Sequence, residues 1–194
     1  MKESADVEAL KITLSGGKFP TELFMFPNLT ELYLEGDCED FPKIGTPWTK
    51  LRILSLKWPH FKGDLSQVLS LPSLENLKIL ETPLSRITLP LGRISSPLKS
   101  LTMKSCGLPE LPEEISMLQE VTEMNLTGNK LQTLPQSFPA LGKLKRLNLD
   151  NNSFSTFPEV IGKMKALSHL SIDGNKFSED EKARIQRVFN LSPN

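Results

Sequence analysis

The chain is predicted to fold as an α/β solenoid, a right-handed β-α superhelix bent into a horseshoe, with a concave parallel sheet and a short C-terminal capping helix. Three observations predict this. The stretch from Leu98 to Phe177 writes one pattern three times and begins a fourth, as LKSLTMKSCGLPELPEEISMLQE, VTEMNLTGNKLQTLPQSFPALGK, LKRLNLDNNSFSTFPEVIGKMKA and LSHLSIDGNKF, each opening 23 residues after the last. Self-similarity at a fixed period of this size signals stacked repeats. Within each unit apolar residues stand at positions 1, 4 and 6, Asn or Cys at 9, Leu or Phe at 11, and Leu-Pro or Phe-Pro at 14 and 15 of the full units. After Phe177 the pattern gives way to SEDEKARIQRVF, which carries helix-start signals and a helical apolar spacing.

The physics of one unit accounts for the pattern. Leu147 and Leu149 flank the polar Asn148, the alternation of a strand with one buried face. Asn152 then turns the chain away from the sheet, where a short amide can bond the backbone groups that the turn leaves unpaired. Its column continues at Asn129 and Asn175, with Cys106 in the same slot. Phe154 and Phe157 point back into the core, and Pro158 suits the first position of a short helical turn. Ile161 and Met164 close the unit on the convex side. No unit can hide its apolar faces alone, so stability is a sum of neighbour interfaces and both ends need caps.

This motif resembles the leucine-rich repeat family in its 23-residue form, with LPxxI on the far side of each unit. The resemblance spans about residues 9 to 190 and is strongest from Leu98 to Phe177. It implies the horseshoe fold and a non-enzymatic protein-binding role. The LPxxI form is similar to cytoplasmic scaffolds that bind small GTPases and to bacterial repeat proteins. The brief end cap, with neither a disulfide cap nor an immunoglobulin-like module, favours the bacterial, spirochaete-like group, in which host or self interactions are the expected role.

In chain order, residues 1–8 form a polar tail or minimal cap, and eight units open near residues 9, 29, 51, 74, 98, 121, 144 and 167, filling 9–177. The first places Ile12 and Leu14 in the buried slots and Gly17 at the turn. The second buries Leu32 and Leu34 and has Asp37 in the Asn slot. In the third, Leu54 and Leu56 are clear but Pro59 replaces the Asn; the fourth has Leu77, Ile79 and Thr82. These four units vary in length, which predicts irregular convex loops on a regular sheet. Residues 178–194 form the helical cap and tail: Ser178 and Glu181 make an S-x-x-E capping box, Ile185, Val188 and Phe189 an apolar face over the last rung, and Lys182, Arg184 and Arg187 a solvated one.

Composition narrows the function. Lys plus Arg and Asp plus Glu balance at 23 each, which argues against a nucleic-acid partner or a polybasic membrane anchor. No apolar run is long enough to span a bilayer, and MKESADVEAL lacks the apolar core of a signal peptide. With Met1 as the native start the chain is expected in the cytoplasm; as a processed piece of a longer protein it is expected to be secreted or surface-displayed. Cys38 and Cys106 lie three rungs apart, about 14 Å, beyond the ~7 Å Cα limit of a disulfide, so two free thiols are expected.

Catalytic chemistry is not expected, and neither is a cofactor or metal. His60 and His169 belong to distant rungs, with no CxxC or HExxH spacing near either. Ser15-Gly16-Gly17 is too short for a phosphate loop. Asp150 and Asp173 read as turn-flanking acids, because calcium needs six or more oxygens.

The expected site is the concave face. Position 3 runs Lys11, Glu31, Ile53, Asn76, Ser100, Glu123, Arg146 and His169, and position 5 runs Thr13, Tyr33, Ser55, Lys78, Thr102, Asn125, Asn148 and Ser171. Among rungs two to four, Tyr33, Ile53, Trp58 and Leu80 stand out as large apolar groups on a polar face, with Lys57 and Lys78 beside Glu35 and Glu81 as a rim. Such a cluster marks a contact site for a protein or peptide. The competing structural account has Trp58, beside Pro59, tucked into the ascending loop. Two other functions carry weight: self-association as a homodimer through an open N-terminal strand edge, and a targeting role within a longer enzyme-linked effector.

Overall fold

A computed structural model of the chain describes residues 6–41, 48–62, 66–85, 96–191 and 193. Eight parallel strands form a single open sheet in chain order: β1 (Ala9–Gly17), β2 (Glu31–Cys38), β3 (Ile53–Lys57), β4 (Asn76–Leu80), β5 (Ser100–Lys104), β6 (Glu123–Asn125), β7 (Arg146–Asn148) and β8 (His169–Ser171). Short 3-10 turns cross the convex side at Thr21–Met25, Ser66–Ser70, Glu113–Met117, Phe138–Ala140 and Glu159–Lys163. One helix, α1 (Glu179–Phe189), follows the last strand. The expectation of irregular convex loops in units two to four falls largely on residues 42–47, 63–65 and 86–95, outside the described residues.

The register stacks like on like. Leu101, Met124, Leu147 and Leu170 are successive partners across β5 to β8, and Leu32, Leu54, Leu77 and Leu101 across β2 to β5. All of these are buried except Leu170, which is half-buried near the C-terminal end. At roughly 1.5–3 kcal/mol for each fully buried leucine, these columns carry the stack.

The asparagine column works as a hydrogen-bond ladder. Asn129 accepts the N–H groups of Cys106 and Leu108 of the rung before at 3.1 and 3.2 Å, and donates to the carbonyls of Met103 and Leu126 at 2.7 and 2.8 Å. Asn152 and Asn175 repeat this, with Leu131 and Phe154 as the donors from the rung before. Asn129 and Asn152 are buried polar residues whose partners offset the cost of desolvation. Cys106 contributes less, its thiol lying 3.4 Å from the Ile79 carbonyl. Cys38 and Cys106 are both free and buried.

The first rung corrects the expected register by two residues. Ala9 pairs with Glu31, Leu10 with Leu32 and Ile12 with Leu34, so Leu10 and Ile12 fill the slots assigned to Ile12 and Leu14. Val7 packs against the core, and the carbonyl of Glu8 accepts from Thr30 and Glu31 at 2.8 and 3.1 Å. The spacing of positions 1, 4 and 6 fits both Ala9-Ile12-Leu14 and Val7-Leu10-Ile12; the second packs a half-buried valine against the core where the first would place an alanine. Leu14 is buried as expected but lies opposite Gly36, which is at φ +113° and so close that a Cβ there would sit 2.3 Å from the Leu14 carbonyl oxygen. The register shifts between Leu14 and Gly17 to absorb the difference.

The cap follows the expected design with three changes. Ser178 accepts the N–H of Glu181 at 3.2 Å, but the Glu181 carboxylate does not reach back to complete the box. It accepts the N–H of Phe157 at 2.8 Å, and Arg184 instead of facing water binds Glu181 at 2.8 Å and Glu159 at 3.0 Å. Ile185 is fully buried and Phe189 stacks on Phe157 at 4.2 Å, whereas Val188 is 56% exposed. Pro158 caps the convex turn from outside with an extended backbone, and the turn itself starts at Glu159.

Candidate functional site

Strand pleating sends alternate residues to the concave face, and the register confirms the two central rows from rung two onward. Glu31, Ile53, Asn76, Ser100, Glu123, Arg146 and His169 are successive partners, as are Tyr33, Ser55, Lys78, Thr102, Asn125, Asn148 and Ser171. In the first rung the shifted register places Ala9 and Lys11 in these rows instead of Lys11 and Thr13.

Of the six residues singled out, five lie on this face. Tyr33, Ile53, Lys78 and Leu80 are half-buried on β2, β3 and β4. The Tyr33 hydroxyl donates to Glu31 at 2.9 Å, and that bond is the main reason its pKa rises. Lys57 is held between Glu81 at 3.2 Å and Glu35 at 3.3 Å. Hydrogen bonds to Glu81 and then Glu35 raise its pKa, so its charge is already matched within the chain.

Trp58 lies inside, fully buried. Its ring packs at 5.8 Å from Phe41, 5.7 Å from Phe61 and 6.3 Å from Phe19. The reason is a turn that comes one residue early. In rungs four to eight the residue before the turn slot has positive φ, at Glu81, Ser105, Gly128, Asn151 and Gly174, and the third rung has none among its described residues. Trp58 therefore takes the turn slot itself, its N–H bonded to Thr82 at 2.9 Å as the N–H of Cys106 is bonded to Asn129. The ascending-loop account of Trp58 is the correct one, and the aromatic patch on the concave face is smaller than expected.

Among the described residues the face is hollow in two places. One shallow hollow of about 290 Å³ is bordered by Thr30, Glu31, Arg52, Ile53, Glu75, Asn76, Lys99 and Ser100. Within it Glu75 binds Arg52 at 3.0 Å and Lys99 at 3.1 Å, and Arg52 first and then Lys99 lower its pKa. The other, about 450 Å³, runs over the strands of rungs five to eight and takes in Thr102, Asn125, Arg146, Asn148, His169 and Ser171. This larger hollow has no counterpart in the sequence pattern, because small polar side chains carry no apolar signal. Depth here comes from the absence of bulk.

The walls of the larger hollow are tied together. Arg146 pairs with Glu123. The Thr127 hydroxyl lies 2.7 Å from the Oδ1 atoms of both Asn125 and Asn148. Asp150 accepts from the Ser171 hydroxyl at 2.6 Å and the Asp173 N–H at 2.8 Å, the turn-flanking role expected of it. His60 pairs with Asp37 at 3.3 Å and His169 contacts Ser168 at 2.9 Å, in separate rungs. Among the described residues no group of three or more His, Cys, Asp or Glu could hold a metal ion, and no helix is long and apolar enough to cross a membrane.

The family model for the leucine-rich repeat region matches residues 90–192. The chain belongs to the leucine-rich repeat family. Leucine-rich repeat domains are in general binding modules and not catalysts. A human volume-regulated anion channel subunit, LRRC8B, is 31% identical over 140 residues, covering 69% of this chain and 17% of its own length; mouse LRRC8B is 29% identical over 146 residues. This chain thus spans well under a quarter of those relatives. A leucine-rich repeat protein of Leptospira interrogans superposes with a TM-score of 0.64 at 25% identity, covering 94% of this chain and 53% of that one. InlP of Listeria monocytogenes gives 0.61 at 19% identity over 89% of this chain and 57% of its own. TLR13, solved with single-stranded RNA, gives 0.69 at 23% identity over 91% of this chain and 28% of its own. The last two similarities show the repeat fold alone, and the RNA-bound one means that this architecture does not by itself exclude nucleic acid.

Proposed function

We propose that this leucine-rich repeat chain is a non-enzymatic interaction module that holds a protein or peptide partner on its concave sheet. The observation that supports this is the in-register display of side chains over rungs two to eight, hollowed to about 450 Å³ across rungs five to eight. Curved parallel sheets of stacked repeats offer extended binding surfaces of this kind. Tyr33, Ile53, Lys78 and Leu80 form the N-terminal part of the contact surface, and Asn125, Asn148 and Arg146 the C-terminal part. Affinity capture from bacterial and mammalian lysates, with mass spectrometry, tests the proposal and the host-interaction role together. Captured partners should be lost with Asn148→Arg, which fills the hollow, and kept with Lys163→Glu on the convex side. The opposite pattern refutes the concave face as the site.

Self-association is a second reading, favoured by β1. At nine residues it is the longest strand, and among the described residues no strand pairs with its outer edge. An open edge is a template for pairing. Sedimentation that shows a monomer at high concentration removes this reading.

A further inference from the structure

Four neighbouring residues in the middle row of the concave sheet, Lys78, Thr102, Asn125 and Asn148, are successive register partners on β4 to β7. Backbone N–H groups two residues on orient the amides of Asn125 and Asn148. Asn125 Oδ1 accepts the Thr127 N–H at 3.0 Å, and Asn148 Oδ1 accepts the Asp150 N–H at 2.9 Å. A backbone N–H can only meet an acceptor, so the oxygens face the Thr127 side and both amide NH₂ groups face away from it. Neither NH₂ group donates to any described residue, and the Thr102 hydroxyl and the Lys78 ammonium have no partner among them either. Most cations around this row are spent, Arg52 and Lys99 on Glu75, Lys57 on Glu35 and Glu81, Arg146 on Glu123, while Lys104 at the end of β5 is exposed and pairs with no described carboxylate. Half-buried Lys78 is the one cation on β2 to β8 that is not exposed and has no carboxylate, among the described residues.

We infer that this row of unused donors reads an extended acidic peptide, one carboxylate on Lys78 and backbone carbonyls on Thr102, Asn125 and Asn148. The inference rests on the concave face being the binding surface. Three strand spacings separate Lys78 from Asn148, about 14 Å, the length of about four extended residues. Acceptors fit because the two amide NH₂ groups and the Lys78 ammonium can only donate and the Thr102 hydroxyl can donate as well, and a charge-assisted bond to Lys78 is the strongest available. A peptide fits better than a polyphosphate because three of the four groups are uncharged and suit neutral carbonyls, while the single half-buried ammonium of Lys78 suits one carboxylate.

Selection of a random displayed-peptide library on the intact chain tests this, with fluorescence anisotropy of the winning peptides and of a labelled oligouridylate as readout. Winners should be enriched in Asp and Glu, and Lys78→Gln should lower affinity for the acidic peptides about tenfold while peptides with the acid replaced by its amide are unaffected. The melting temperature of Lys78→Gln should match the parent. Winners without acidic enrichment, or acidic winners indifferent to Lys78→Gln but lost with Asn148→Arg, overturn the inference and leave the concave-face reading standing. A library with no winner, or winners indifferent to both substitutions, overturns both. Tighter binding of the oligouridylate, lost with Asn148→Arg, overturns the peptide assignment in favour of RNA.

Discussion

Thr82 accepts the backbone N–H of Trp58 at 2.9 Å while donating to the Leu80 carbonyl at 2.9 Å, so a threonine of the fourth rung completes the turn of the third. In the C-terminal rungs the same job falls to an asparagine. Thr82 is fully buried, so the bond has no competing water.

Replacing Thr82 with Val keeps the shape and leaves the Trp58 N–H unpaired in the interior. A loss of about 1–3 kcal/mol is expected in urea unfolding. Thr82→Ser keeps the hydroxyl and should lose about 1 kcal/mol through its missing methyl group. No loss in Thr82→Val would show that the hydrogen bond contributes nothing.

The inward position of Trp58 has a spectroscopic consequence. Trp48 and Trp58 are the chain's two tryptophans and both are fully buried. Emission should be blue-shifted and insensitive to acrylamide until the chain unfolds. If half the native emission is quenched, Trp58 faces the solvent.

Glu181 ties α1 to the last full unit, and its pKa is lowered from 4.5 to about 2, first by the hydrogen bonds from Arg184 and then by the N–H of Phe157. A depressed folded-state pKa means stability that is fully present above about pH 4.5 and lost as the pH falls toward 2. Melting temperatures across this window should fall more steeply for the parent than for Glu181→Gln, the two curves converging at the acid end. Parallel curves would separate Glu181 from the acid response.

Burial raises the Cys106 thiol pKa to about 11, and Cys38 is shifted upward by the same cause. Thiolate is the reactive form. Neither cysteine should react with iodoacetamide at pH 8 in the native chain, and both should react in denaturant, as counted by mass spectrometry. Native labelling of Cys106 would contradict the packing of its turn.

Much of the architecture was written in the order of residues. Periodic Leu, Asn and Pro prescribe strand, turn and return for each unit because those roles are local: alternation selects a buried face, a short amide serves a turn, and proline suits its edge. The concave rows from rung two onward followed from the same counting, since pleating has a period of two. The offset of β1 was not legible, because Val7-Leu10-Ile12 and Ala9-Ile12-Leu14 satisfy the same spacing and only packing against β2 separates them. Trp58 was assigned to the wrong side for a related reason: a turn shortened by one residue reverses the direction of a side chain, and that shortening shows only when Thr82 of the next rung is in place.

The chain's own letters determined a stack of parallel strands with one face turned away from the core, because each repeat cannot bury its leucines without a neighbour. Which inner groups remain available was decided by tertiary structure alone. Lys57 and Arg146 are satisfied by glutamates from adjacent rungs, while Lys78 and the amides of Asn125 and Asn148 are aimed outward and left without donors' work to do. Pairing between rungs about 23 residues apart is a property of the stacked state, and no single repeat contains it.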